Sequence, residues 1–100
     1  MIYVIKLFRI KDENSMKNFD YTSESVGYYE HKEAAIESVE TNLLDLSDDG
    51  YFNFSCVMAF EEGVYSIQEE EKWFKWNREK KQYEACEGRP KEFEGFAFFI

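Results

Sequence analysis

The sequence predicts an α+β domain, a mostly antiparallel sheet of five to six strands packed on one amphipathic helix, in the order ββαββββ. Three observations carry that expectation. In residues 31–46, Ala35, Val39, Leu43 and Leu46 recur at helical spacing, with Ile36 beside them. In residues 51–60, Phe52, Phe54, Cys56, Met58 and Phe60 alternate with Tyr51, Asn53, Ser55, Val57 and Ala59, which is the period of a strand. The first nine residues carry apolar side chains on both faces, as a covered central strand does. A lone amphipathic helix must bury its stripe, and one face of an antiparallel sheet is the economical place.

Taken in order, Ile2, Tyr3, Val4, Ile5, Leu7 and Phe8 form the first strand. Lys11 to Asp20 is polar, holds Asn14, Ser15 and Asn18, and is expected to be a loop. Residues 21–29, YTSESVGYY, are β-branched and aromatic, and form a hairpin with the first strand. Gly27 marks a bulge or a close backbone approach. In the helix, Glu30, Glu33, Glu37 and Glu40 line a second face, and the first two suit its positive N-terminal end. Asp48, Asp49 and Gly50 end the helix and turn the chain. The strand over 51–60 should place Phe54, Cys56 or Met58 against Val39 or Leu43, because the two periods match.

Glu61, Glu62 and Gly63 make a turn, Val64 to Ile67 a short strand, and Glu69 to Glu71 an acidic connection. Residues 72–77 and 82–86 flank Arg78, Glu79, Lys80 and Lys81, which reads as a hairpin with a polar tip. Gly88 to Pro90 breaks the chain, and Pro90 starts one helical turn through Phe93. Phe96 to Ile100 alternates and reads as a last strand. There is no repeat and no low-complexity tract, so residues 1–100 form a single domain.

Composition agrees with a folded chain: 44% of residues are hydrophobic and 19% aromatic. Ten Phe, seven Tyr and two Trp are a heavy load for one small core. The excess either fills the core in place of leucine or reaches the surface as a contact site. The net charge is −9, with eleven acids against five bases in the first half and ten against seven in the second. That balance argues against direct binding to nucleic acid or anionic membranes and suits a basic protein partner, though it also serves solubility. No apolar run approaches membrane-spanning length, and the apolar start, interrupted by Lys6, is too short for a signal core. A cytoplasmic protein is expected, with Cys56 and Cys86 reduced and Cys56 in the core.

The chemistry-bearing patterns are sparse. Asp45, Ser47, Asp49 and Gly50 resemble the opening of a calcium loop, but Cys56 stands where the closing Glu belongs and a strand follows where a helix should. No metal site is expected there. His31 is the only histidine, at a helix start with no nucleophile motif around it. Paired acids such as Glu61 and Glu62 have no special spacing, and no phosphate-binding glycine loop occurs. Neither a catalytic residue nor a cofactor is assigned. Residues 72–81 stand apart: Lys72, Lys75, Arg78, Lys80 and Lys81 face one acid, Glu79, with Trp73, Phe74 and Trp76 among them. Interleaved cations and aromatics make a stacking platform for a base or nucleotide, or else a two-sided strand with a solvated tip. The candidate ligand or partner surface is therefore Trp73, Lys75, Trp76, Arg78, Lys80, Lys81 and Tyr83.

The strings VGYYEHKEAAIESV, DDGYFNFSCVMAFEEGVYS and WFKWNREKKQYEACEGRP carry a resemblance. Gly27, Tyr29, Ala35, Gly50, Tyr51, Glu62, Gly63, Tyr65, Trp73, Trp76, Tyr83 and Pro90 match a group of small bacterial and phage proteins. That group is marked by a GxYxxxxxA helix start, an EG[VIL]Y turn and a WFxW hairpin. The motifs are structural and none is catalytic. The resemblance implies a stand-alone domain of bacterial or phage origin, and it implies no activity.

The expected function is a non-enzymatic protein-binding domain, in one version a phage- or mobile-element-encoded inhibitor of a host factor. The alternative is a nucleotide-binding or sequestering oligomer that uses the hairpin over 72–83. A homodimer or a higher symmetric oligomer is expected, because Tyr51, Trp73, Tyr83 or the Phe96–Phe99 run has no evident partner within the chain and no second helix covers the sheet.

Overall fold

The computed structural model describes residues 1–10 and 21–99. The elements run β1 (Ile2–Ile10), β2 (Tyr21–Tyr29), α1 (Lys32–Glu40), β3 (Phe54–Phe60), β4 (Glu70–Asn77) and β5 (Gln82–Ala85). The five strands form one antiparallel sheet in the order β2-β1-β3-β4-β5. The α+β class, the helix-on-sheet architecture and the two expected hairpins are all present. The expected loop over Lys11–Asp20 and the end of the last expected strand, Ile100, lie outside the described residues.

The expected short strand at 64–67 does not form, which makes the order ββαβββ, and the described part of the expected last strand, 96–99, forms no strand either. A single bridge between Ile67 and Phe99 joins the two segments. Gln68 ties them more firmly: its N–H donates to the Phe98 carbonyl at 3.0 Å, and its side-chain oxygen accepts from the Phe98 N–H at 2.8 Å. Val64 and Tyr65 are exposed and bury no face, so nothing drives them into the sheet.

The helix is shorter than the period suggested. It ends at Glu40, where the Thr41 N–H and hydroxyl both donate to the Glu37 carbonyl. Asn42 follows in the left-handed region at φ +50°, which stops helical propagation. Its side chain then organises the next turn by accepting from the Ser47 N–H at 3.0 Å. Leu43 therefore leaves the buried stripe and is exposed, and Leu44 beside it is exposed as well.

Two cores flank the sheet. On the helix side, Ala35 and Val39 bury against Ile5, Leu7, Val57 and Phe74, with Phe52 and Tyr83 completing the cluster. On the other side, Phe8, Phe54, Cys56, Met58 and Trp73 bury against Phe93 and Phe98. The expected contact of Phe54, Cys56 or Met58 with Val39 or Leu43 is thus corrected: those β3 side chains point away from the helix, and Val57 meets it. Every residue of β3 is buried, so its alternation named two faces without saying which would meet the helix. Asn53 sets the phase. Its side-chain amide exchanges two 3.0 Å bonds with the Ile10 backbone just where β3 begins. Phe52 and Phe54, two residues apart, consequently fall in opposite layers.

The second face is covered by the chain's own end. Residues 86–99 cross it as a strap that inserts Phe93 and Phe98. Phe93 stacks on Trp73 with ring centroids 4.4 Å apart and meets Phe8 at 4.9 Å and Phe54 at 5.3 Å. The β1–β2 pairing shifts register between Ile5 and Lys6, with Val26 as the extra residue beside Gly27, so the bulge suggested by Gly27 is present.

Candidate functional site

The β4–β5 hairpin separates the residues expected to form one platform. β-strand alternation sends Trp73 and Lys75 to the strap side and Trp76 to the helix side. Trp73 is buried beneath Phe93 and offers no face to a ligand. Lys75 is exposed with its ammonium 5.6 Å from the Phe54 ring. Trp76 is half-buried and meets Tyr83 edge-on at 5.1 Å. Tyr83 is buried, its hydroxyl donating to the Phe52 carbonyl at 2.8 Å, and burial pushes its phenol pKa up. Arg78, Lys80 and Lys81 occupy the exposed tip, where Lys80 pairs with Glu84 at 3.2 Å.

Of the expected set, Lys75, Trp76 and Arg78 line one open concavity of about 560 Å³ with Glu79 and Glu84, and Trp76, Arg78 and Lys81 line a second of about 360 Å³ with Asp49 and Gly50. The glycine is required there. It sits at φ +88°, and an added Cβ would come within 2.9 Å of the Trp76 ring nitrogen. The Asp49 carboxylate opposes an anion at this spot.

The Asp45–Gly50 turn is folded on itself. Asp45 accepts from the Ser47 hydroxyl at 3.2 Å, the Asp49 N–H at 3.3 Å and the Asn42 amide at 3.3 Å. Among the described residues, no three His, Cys, Asp or Glu side chains converge in a way that would hold a metal ion. His31 is exposed ahead of α1, whose end it does not cap with its side chain. Cys56 and Cys86 are free thiols, and burial raises the pKa of both, Cys56 strongly. No helix among the described residues is long and apolar enough to cross a membrane.

A second region emerges only in three dimensions. β2 is an edge strand whose residues 22–28 are all exposed, Val26 and Tyr28 among them. Across the bulge, a groove of about 180 Å³ separates β2 from the Leu43–Leu46 turn. Ile5, Gly27, Leu43, Leu44 and Leu46 line it, and the hydrogen-bonded hydroxyls of Ser38 and Tyr29, 2.6 Å apart, lie among them. Leu44 is 93% exposed and held at φ +54°, a conformation that costs a leucine roughly 1 kcal/mol. Between Thr22 and Glu71, Lys32 is the sole Lys or Arg among many acids, and it pairs with Glu70 at 3.3 Å. Sequence reasoning missed this groove because it placed Leu43 on the buried stripe of a longer helix. The signal available was Thr41-Asn42, a poor pair for helix continuation.

No protein-family model matches the chain, and no curated protein or solved structure matches it significantly.

Proposed function

We propose that this protein is a non-enzymatic interaction domain that takes a basic protein partner on the surface around β2 and the C-terminal turn of α1. One observation carries the reading: exposed Val26, Leu43 and Leu44 line one groove, the elements beside it carry exposed Glu24, Glu30, Glu37, Glu40 and Asp45, and the nearby bases Lys6 and Lys32 are engaged by Ser25 and Glu70. An apolar centre with a polar rim is the anatomy of a protein interface. The single-sign rim would steer a basic partner and repel an acidic one. One biological form of this reading is a phage- or mobile-element-encoded inhibitor of a host factor, its acidic surface meeting a basic one.

The test is a photo-crosslinking residue at position 44 in cells, followed by titration of the purified partner. The expected partner is basic, its binding weakens steeply with salt, and Glu33→Lys with Glu37→Lys weakens it at least about tenfold. Saturable quenching of Trp76 by a nucleotide, lost in Arg78→Ala, would point instead to the hairpin as a ligand site.

A further inference from the structure

We infer that β2 takes up an extended basic peptide as an added strand, seating one apolar side chain in the groove between β2 and the Leu43–Leu46 turn. This rests on the interaction-domain reading above and names the form its partner takes.

The strand itself is the first ground. Natural edge strands are blunted by Lys, by Pro, by shortness or by a cover. β2 runs nine residues, Tyr21–Tyr29, with no Pro, no Lys or Arg, and Glu24 as its one charge. No described strand pairs with its outer edge. Its one edge device is the bulge at Val26, which lies at the groove. Gly27 leaves the backbone open beside the bulge: an added Cβ there would meet nothing within 4 Å.

The groove is the second ground. Strand addition draws affinity from main-chain hydrogen bonds and specificity from a pocket for alternate side chains. The pocket lies between the edge strand and the helix-end turn, on the helix side of the sheet, so an added strand would present every second side chain to it. Its lining of Ile5, Leu43, Leu44 and Leu46 calls for an aliphatic side chain.

Charge chooses the occupant. Exposed Glu24 lies on the strand, Glu30 just past its end, and exposed Glu37, Glu40 and Asp45 along the helix and its turn, while Lys6 of β1, bonded to Ser25, lies on the opposite face of the sheet from the groove. A second copy of this chain would bring the same carboxylates, and its net charge of −9, against them. A peptide with basic side chains around an aliphatic one complements them.

The probe is the capped peptide Lys-Ser-Lys-Leu-Lys-Ser-Lys, titrated into the isotope-labelled full chain by nuclear magnetic resonance. The expected result is shifted amides and slowed hydrogen exchange within residues 22–29. Leu44→Asp, a change at an exposed position, should weaken binding at least about tenfold. The same peptide with Glu in place of Lys should not bind. Binding without protection of β2, or binding indifferent to Leu44→Asp, would overturn strand addition and leave the basic-partner reading standing. No binding by the basic peptide, or equal binding by the acidic one, would overturn both. Shifts in β2 that track protein concentration without peptide would assign the edge to a second copy and overturn the peptide as occupant.

Discussion

The Arg89 guanidinium grips the Glu71 carboxylate through two bonds, of 2.8 Å from Nε and 2.6 Å from Nη2. The same guanidinium reaches the carbonyls of Phe93 and Phe96 through Nη1. One side chain thus ties β4 to the strap that covers the second face of the sheet. Both partners are largely shielded from solvent, which sets this pair apart from the exposed bridges Lys32–Glu70 and Lys80–Glu84.

The clamp makes stability depend on pH in a predictable direction. The hydrogen bond from Arg89 holds the Glu71 carboxyl below its ordinary value of 4.5. A depressed folded-state value means a contribution that is present above that ordinary value and lost as pH falls through the lower, folded one. Glu71→Gln should cost about 1.5–3 kcal/mol at neutral pH. Its urea midpoint should converge with that of the natural sequence as the pH falls below 4.5. A difference that stays constant on acidification would show that the carboxylate charge is not what holds the strap.

Phe93→Ala should cost roughly 3–5 kcal/mol, as for a buried aromatic truncated in a core. Because Phe93 lies on Trp73, the tryptophan emission of the folded variant should move to longer wavelength. Unchanged emission together with unchanged stability would mean that the strap does not cover Trp73 in solution.

Ser55 is buried on the helix side of β3, and its hydroxyl has no hydrogen-bond partner among the described residues. Ser55→Ala removes a desolvated polar group at little loss of volume. It should be neutral or stabilising by up to about 1 kcal/mol. A loss of more than that in a denaturation curve would reveal a partner for the hydroxyl.

Leu44 separates stability from binding. Leu44→Gly relieves a left-handed backbone at an exposed position and should leave stability equal or higher by up to about 1 kcal/mol, while the basic peptide binds more weakly. Thermal melts and the peptide titration, run on one preparation, check both halves.

Light scattering bears on assembly. Each aromatic group that prompted the expectation of a homodimer has an intrachain contact. Tyr51 lies under Arg9, Trp73 under Phe93, Tyr83 against Trp76, and Phe96 on Phe98. The sheet has two edges, β2 and β5, and the carboxylates along β2 oppose the pairing of two copies there. A dimer, if measured, should therefore be indifferent to Val26→Lys, and one broken by that change would place its contact at β2.

What the sequence determined by itself was local. The helix start near Glu33, the alternation of β3 and β4, the basic tip of the β4–β5 hairpin and the bulge beside Gly27 follow from spacing between near neighbours. So does the split of Trp73 from Trp76 onto opposite faces of one strand. Tertiary structure alone decided which face was which. β3 is apolar on both sides, so its pattern reads the same when the two layers are exchanged, and only the Asn53–Ile10 pairing and the distant Phe93 and Phe98 break that symmetry. The groove at β2 had no local signature for the same reason. It exists because Asn42 ends the helix early and leaves Leu43 and Leu44 beside an edge strand well removed from them in sequence, and a periodic pattern cannot record a contact between segments that meet only when the chain is folded.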